Sequence, residues 1–373
     1  MFGGNLEMIK KLFKNVDFGI LIIVLLIFCI GIISLKSASN GAGGDPNEYT
    51  KQISWFIVGL ISSILIVFFD YKLLKKISIF FYIITILLLL IVLRMGAING
   101  ASSWIRFGPL SIQPSEFAKI AIIIIFAQFI EFLNEKKALN KIYNILICLL
   151  IVGVPIALII KQPDYGTAIV IVTIFAAMLY AGGINWKYIM LALLAAAICF
   201  PLLYSFVLPA HAKQRIDVFL NPDLDPRGAG YNIIQSKLAI GSGMLVGMGL
   251  FNGNQTQMGL LPMKTTDFIF PVLSEELGFI VSSSIIILYA VLSIRIINVG
   301  RNTKDDFGKL ICIGVFAMLF AHVVENIGMC MGLLPITGIP LPFMSYGGSS
   351  MLTNMIAIGI VLSISARRRK HLF

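Results

Sequence analysis

A chain of 373 residues that is 58% hydrophobic and only 13% charged is not a soluble globular protein, since soluble domains run at roughly 45–50% apolar and 25% charged. The mean hydropathy of +0.94 agrees, and no segment has a soluble domain's composition, so residues 1–373 read as one polytopic membrane domain. The formal net charge of +11 is accounted for by topology, because Lys and Arg gather in cytoplasmic loops. No basic stripe with interleaved aromatics points to nucleic acid.

Lys10, Lys11 and Lys14 precede an apolar run from Phe18 to Leu35. That run exceeds the roughly 7–15 residues of a signal-peptide core, so a retained first helix is expected, although Ser37-Ala38-Ser39 faintly resembles a cleavage site. The apolar pattern predicts ten spans: 18–36, 53–69, 77–94, 114–131, 143–160, 167–181, 187–207, 271–295, 308–327 and 351–366. The fold class expected is therefore all-α, with about ten transmembrane helices and a large outer loop, 208–270, before the eighth. Cys29, Cys148, Cys199, Cys312 and Cys330 lie in the spans without metal-type spacing and read as small buried hydrophobes.

An even number of spans places both termini on one side. The loops on that side carry Lys72, Lys75, Lys76, Lys136, Lys137, Lys141, Lys187, Arg301 and Lys304, and the tail ends Arg367-Arg368-Arg369-Lys370. Both termini are thus expected in the cytoplasm. The opposite face receives 95–113, 161–166, 208–270 and 328–350, where Gly, Pro and polar residues concentrate. Irregular backbone at membrane depth is tolerated only inside protein or along a wet cavity. These outer segments are expected to fold together over the bundle and to carry the active surface.

Each motif there has a plain and a functional reading. Trp104-Ile105-Arg106-Phe107-Gly108 is an interfacial aromatic belt with a snorkelling Arg106, or a platform for sugar or pyrophosphate. In Gln113-Pro114-Ser115-Glu116-Phe117-Ala118-Lys119, Glu116 and Lys119 are three apart on one helix face. They are a structural ion pair holding the bundle, or part of a substrate cavity. Asp164, in Gln162-Pro163-Asp164-Tyr165-Gly166-Thr167, is most simply a helix N-cap. Gly241, Gly243, Gly247 and Gly249 lack the βαβ context of a phosphate-binding fingerprint, and read as close packing or a re-entrant turn. His322, Glu325 and Asn326 make one polar stripe, as a hydrogen-bonded interior or a proton path. The segment Ser345-Tyr346-Gly347-Gly348-Ser349-Ser350 is a plug, or a set of backbone donors for phosphate or sugar. Most informative is Leu261–Phe279, which holds Asp267, Glu275 and Glu276. Acids cost roughly 2.5–3.5 kcal/mol each at a helix centre. Asp267 sits at an outer helix start, as a cap or as a carboxylate base.

Six segments in order, QPSEFAK, QPDYGTA, NPDLDPRGAGYNIIQSKLAIGSG, TDFIFPVLSEELGF, NIGMCMGLLPITGIPLPF and SYGGSS, resemble the SEDS family of membrane glycosyltransferases, which includes RodA and FtsW. The third segment looks more like the RodA branch; division and sporulation (SpoVE-type) paralogues are the competing assignments. The resemblance implies a peptidoglycan glycosyltransferase of the bacterial cytoplasmic membrane. It would polymerise lipid II at the outer face, for elongation and shape, with a class B penicillin-binding protein and the elongation machinery as partners. Asp267 matches the family's essential Asp. Family members often carry Glu and His where Met263 and Thr265 stand here, and many RodA proteins have Arg near Ser111, where Arg106 is the nearest substitute.

The chemistry asks for one general base on the acceptor 4-hydroxyl, because diphosphate is already a good leaving group; a two-carboxylate hydrolase pattern is not required. An α-linked donor would give a β-linked product by inversion. Arg106, Arg215, Lys237, Lys264 or a divalent cation, Mg or Mn, would steady the diphosphate. Trp104, Gln235, Ser236, Ser345 and Gly347 complete the expected substrate-binding set. A transporter or flippase of lipid II is the alternative. It would place its key charges at the midplane on broken helices, whereas the richest motif here lies on one face.

Overall fold

The computed structural model describes residues 15–95, 104–107, 110–207, 209–226 and 228–367. Lys10, Lys11, Lys14 and the tail from Arg368 on lie outside the described residues. So do most of the loop before Trp104 and the side chain of Arg106.

Ten long helices occupy the ten expected spans. They are α1 (Phe18–Asn40), α2 (Glu48–Phe68), α3 (Leu73–Arg94), α4 (Pro114–Glu135), α5 (Ile142–Lys161), α6 (Tyr165–Gly182), α7 (Trp186–Leu202), α11 (Ile269–Arg301), α12 (Asp306–Cys330) and α13 (Gly348–Arg367). Eight of them are long and apolar enough to cross a membrane. The other two are α4, which carries Glu116, Lys119, Glu131 and Glu135, and α7, whose 17 residues run on into a π-helical turn, Leu203–Val207. The protein is a multi-pass, all-α membrane protein apart from one short hairpin. Strands β1 (Ile105–Phe107) and β2 (Leu110–Ile112) pair antiparallel, Ile105 opposite Ile112. The all-helical expectation missed it because three-residue strands leave too short a periodic signal to read.

Helix ends follow local chemistry. Asp17, Asp164 and Asp305 accept from the backbone amides of Gly19, Thr167 and Gly308 at the starts of α1, α6 and α12. Pro114 opens α4, where its missing N–H costs nothing. Inside the bundle, most of α4 and nearly all of α13 are buried. Ile120, Ile122, Ile123, Phe126 and Ile130 of α4 pack in one continuous core with Met355, Ile358 and Val361 of α13. The outer ring turns Ile57, Leu65, Phe80, Leu150 and Ile287 toward lipid.

The polar segment before α11 holds three short helices: α8 (Ala210–Leu220), α9 (Ala229–Ser242) and α10 (Asn254–Gln257). Between α9 and α10 the chain re-enters the bundle and meets a break in α11. Gly278 there has φ +75° and ψ −175°. The break frees the amides of Phe279 and Ile280, which donate to Met244 and Leu245 O at 2.9 and 3.2 Å. Met248 and Gly249 N return the favour to Glu275 and Glu276 O at 2.9 and 3.0 Å. A Cβ on Gly278 would lie 2.3 Å from Gly247 N, so only glycine allows the two backbones this close. Gly247 and Gly249 themselves have φ +84° and +93°. The glycine run is a re-entrant turn that closes α11's broken ladder.

Candidate functional site

Asp267 stands two residues before α11, on a turn from Met263 that is closed by Phe268 N donating to Met263 O at 3.1 Å. Three successive carbonyls of this turn are held by two elements, the loop before α13 and helix α12. Thr265 O accepts from Tyr346 N at 2.8 Å. Thr266 O accepts from Ser345 Oγ at 2.5 Å. Asp267 O accepts from Asn326 Nδ2 at 2.8 Å. With its main chain fastened, the Asp267 carboxylate projects into a cavity of about 440 Å³. Gly338, at φ +74°, approaches so closely that a Cβ would lie 3.4 Å from Asp267 Oδ2.

That cavity gathers residues distant in sequence: Trp104 beside the hairpin, Glu116 of α4, Asp164 at the start of α6, Arg215 of α8, Asp267, and Gly347 before α13. The carboxylates differ. Asp164 is saturated, accepting from Gln113 Nε2 and Ser115 Oγ at 3.1 Å each and from Thr167 N at 3.1 Å. Burial pushes the Asp267 carboxyl from its ordinary 3.8 up to about 6, against the opposing pull of the Thr266 hydroxyl and the Arg215 charge. Asp267 is thus the carboxylate suited to exchange a proton near neutrality. Arg215 also lines a second, overwhelmingly apolar cavity of about 680 Å³ with Ile160, Ile169, Phe219 and Ile336. A cation therefore stands where a polar chamber meets an apolar groove. Among the described residues no group of three His, Cys, Asp or Glu is placed to hold a metal ion.

The remaining expected residues lie elsewhere. Lys264 is buried, its ammonium donating to Ala42 O and Thr256 O at 2.9 and 2.8 Å. Ser236 is buried and donates to Cys330 O at 2.6 Å. Gln235 is half-buried beside it on α9, and Lys237 is exposed, lying across Gly332. None of these four lines the cavity. Ser345 is under the site and supports it, accepting from Leu341 N at 2.8 Å while holding Thr266.

Glu116 and Lys119 form a buried ion pair at 2.8 Å. Lys119 Nζ also lies 2.7 Å from His322 Nε2. An ammonium has no acceptor, so this ring nitrogen accepts, and Nδ1–H is left to face Pro340 O at 3.3 Å. Of the polar stripe on α12, His322 thus holds Lys119 and Asn326 holds Asp267. Gln52 of α2 is a residue that sequence reasoning missed. Its amide clamps the loop before α13, donating to Ser345 O at 2.7 Å and accepting from Gly347 N at 3.1 Å. Gln52 lies in the polar first turns of α2, beside Glu48, Thr50 and Lys51, and just before the expected span 53–69, so no local signal marked it.

Comparison with known proteins places this geometry. Residues 18–370 match the family model for FtsW, RodA and SpoVE, described as cell cycle proteins. Over 356 residues, 95% of each chain, the sequence is 36% identical to the peptidoglycan glycosyltransferase MrdB of Escherichia coli K12. It is 37% identical to stage V sporulation protein E of Bacillus subtilis 168, over 95% of this chain and 98% of that one. A solved structure concerned with the coordination of polymerization and crosslinking by a peptidoglycan synthase complex superposes at a TM-score of 0.80. It is 28% identical, covering 94% of this chain and 97% of the other.

The buried pair makes a direct prediction. Glu116→Ala strands Lys119 with only a neutral imidazole for company. It is expected to destabilise the protein by about 3–5 kcal/mol, seen as a lower melting temperature in detergent. Glu116→Ala with Lys119→Ala is expected to recover part of that loss. A double variant no better than the single one would show that the two do not act as partners.

Proposed function

We propose that this chain, which belongs to the FtsW, RodA and SpoVE family of cell cycle proteins, is a peptidoglycan glycosyltransferase that polymerises lipid II with Asp267 as its general base. The observation that carries the base assignment is the fastened turn, which points one carboxyl of raised proton affinity into a chamber bordered by Arg215. In the proposed step Asp267 takes the proton of the acceptor 4-hydroxyl as that oxygen attacks the donor's anomeric carbon. The bond from that carbon to the diphosphate oxygen breaks, and the polyprenyl diphosphate leaves with the electron pair. Arg215 faces the departing charge, and the apolar groove on its other side suits the polyprenyl chain. Attack opposite the leaving group inverts the anomeric centre.

The transporter alternative looks for charges at a broken helix. A broken helix is present, but the break at Gly278 is closed by the 244–249 backbone. The cavity beside it is lined mainly by Ile240, Met244, Leu245, Phe270, Phe279 and Ile286. The charged chamber lies instead at the helix starts, as an enzyme's would.

We further propose that the chamber faces outward with both termini in the cytoplasm, supported by Lys72, Lys75, Lys136, Lys137 and Arg301 at the other ends of the helices. A class B penicillin-binding protein is the proposed partner, on the strength of the related synthase complex. Assignment to elongation rests on the segment from Asn221 to Lys237, since identities of 36% to MrdB and 37% to the sporulation protein do not separate the branches.

Asp267→Asn is expected to abolish glycan synthesis from labelled lipid II, read on a gel, in a folded protein. In the parent, activity is expected to rise as pH passes through about 6, where the base becomes ionised. The stability sign is opposite. Because the folded carboxyl sits above its ordinary 3.8, ionising it costs the fold at most about 3 kcal/mol, complete above pH 6 and absent near pH 4. Asp267→Asn is therefore expected to melt higher than the parent at pH 7.5 and equally at pH 4; full activity in this variant would remove the base assignment.

Arg215→Glu is expected to cut polymerisation by about 100-fold or more. Replacing Lys136 and Lys137 by Gln leaves specific activity within about two-fold, as for other exposed sites away from the chemistry. Equal losses in both variants would argue against a diphosphate at Arg215. Orientation is checked by cysteine labelling at exposed Asn254: reaction from outside intact spheroplasts is expected, and reaction only after opening the membrane would invert the topology.

A further inference from the structure

The turn that carries Asp267 leaves a question that its carbonyl contacts do not answer. Tyr346, Ser345 and Asn326 fasten Thr265, Thr266 and Asp267, which is the C-terminal half of the turn. Its N-terminal half follows a segment with no regular structure beyond the single turn of α10. Something must hold that half, or the fastened carbonyls become a pivot.

Lys264 stands at this point. Its ammonium bridges Ala42 O, just past the end of α1, and Thr256 O in α10, at 2.9 and 2.8 Å. Thr256 is itself held from below. Glu275 accepts from Thr256 Oγ at 2.6 Å, from Thr256 N at 3.0 Å and from Gln255 N at 2.7 Å. The neighbouring Glu276 reaches the same junction from the other side, accepting from Ser37 Oγ at 2.7 Å and from Gln257 Nε2 at 2.9 Å. Gln257 O then accepts from Ala42 N at 2.9 Å. The result is a closed circuit of α1, α10 and α11 with Lys264 as the member that enters the catalytic turn. One buried ammonium sits among two buried carboxylates, and burial lowers the ammonium's proton affinity against the weaker opposing pull of the Glu276 and Glu48 charges.

We infer that Lys264 is a positioning residue for Asp267, braced by Glu275 through Thr256, and not a ligand of the substrate diphosphate. Lys264 does not border the chamber, and both its carbonyl contacts would be lost if it swung out to meet an anion. The strut works from behind. It fixes where the turn begins, so that the carboxylate three residues on meets a hydroxyl in line. Misplacement of a reacting group by about 1 Å can cost 100-fold in rate. The inference rests on the proposed role of Asp267, and its test separates the two.

The full-length protein is compared with Lys264→Met, Lys264→Arg and Thr256→Val. Two quantities are read: amide hydrogen exchange over residues 261–268, and steady-state polymerisation of lipid II. Lys264→Met is expected to speed exchange in that peptide and to lower kcat by about 10- to 100-fold, with KM changed less than about two-fold. Lys264→Arg keeps a cation and its donors and should return both readings most of the way. Thr256→Val removes the hydroxyl that Glu275 holds and should move both in the same direction by less. A Lys264→Met protein with unchanged exchange and a raised KM would make Lys264 a substrate ligand and overturn the inference. If Lys264→Met does not fold, Thr256→Val decides, and parent-like exchange and kcat in that variant would equally overturn it. Exchange that responds in a parent making no glycan would sink the polymerase reading while leaving the strut in place.

Discussion

A backbone amide or carbonyl that leaves a helix at membrane depth finds no water, so the protein itself must supply the partner. Most of what is unusual in this chain answers that one requirement. The break at Gly278 exposes two amides, and the 244–249 turn accepts them. The turn at Asp267 exposes three carbonyls, and two distant parts of the sequence supply their donors: Ser345 and Tyr346 before α13, and Asn326 of α12. The motifs that look like substrate ligands in one dimension are therefore partly scaffolding in three. Ser345 and Ser236 spend their hydroxyls on carbonyls, and Gln52 spends its whole amide on the loop before α13.

The same scarcity of water bears on the carboxylate proposed as the base. Asp164, Glu275 and Glu276 each accept two or more hydrogen bonds, and Glu116 has an ammonium at 2.8 Å. Groups so supplied are tied into the structure. Asp267 has its main chain fastened while its carboxyl is left largely unsupplied, which is why burial raises its proton affinity. A residue in that condition costs stability and gives reactivity, the usual exchange at an active site.

Much of this was legible in the sequence. The ten spans follow from apolar runs, and the Asp164 cap from its place before a periodic stretch, because both signals are local. The Glu116–Lys119 pair was legible for the same reason, since three residues apart on a helix is one face. What was not legible is long-range. Nothing near Lys264 says that its ammonium meets Ala42, and nothing near Gln52 points to a loop almost three hundred residues away. A lysine three positions before an essential acid in an outer loop reads naturally as an anion ligand. Only the fold shows that loop turned inward. His322, Glu325 and Asn326 could be seen to share a stripe, but which carbonyl or cation each would meet depended on where α4 and the turn at Asp267 lie.

These points bear on how the chamber of the proposed reaction is held in place. The chamber is built from loop ends and helix starts, which alone would be soft. It is made stiff by ties that run to helices on opposite sides: α1 and α10 through Lys264, α12 through Asn326, α2 through Gln52, and α4 through the pair that reaches His322. Among the described residues, the Arg215 side chain makes one long hydrogen bond, 3.4 Å to Ile336 O. On the proposed reading the base is fixed and the cation is the adjustable partner. That division suits a reaction in which the attacking hydroxyl must be met in line each time, while the diphosphate must be taken up and released at every cycle.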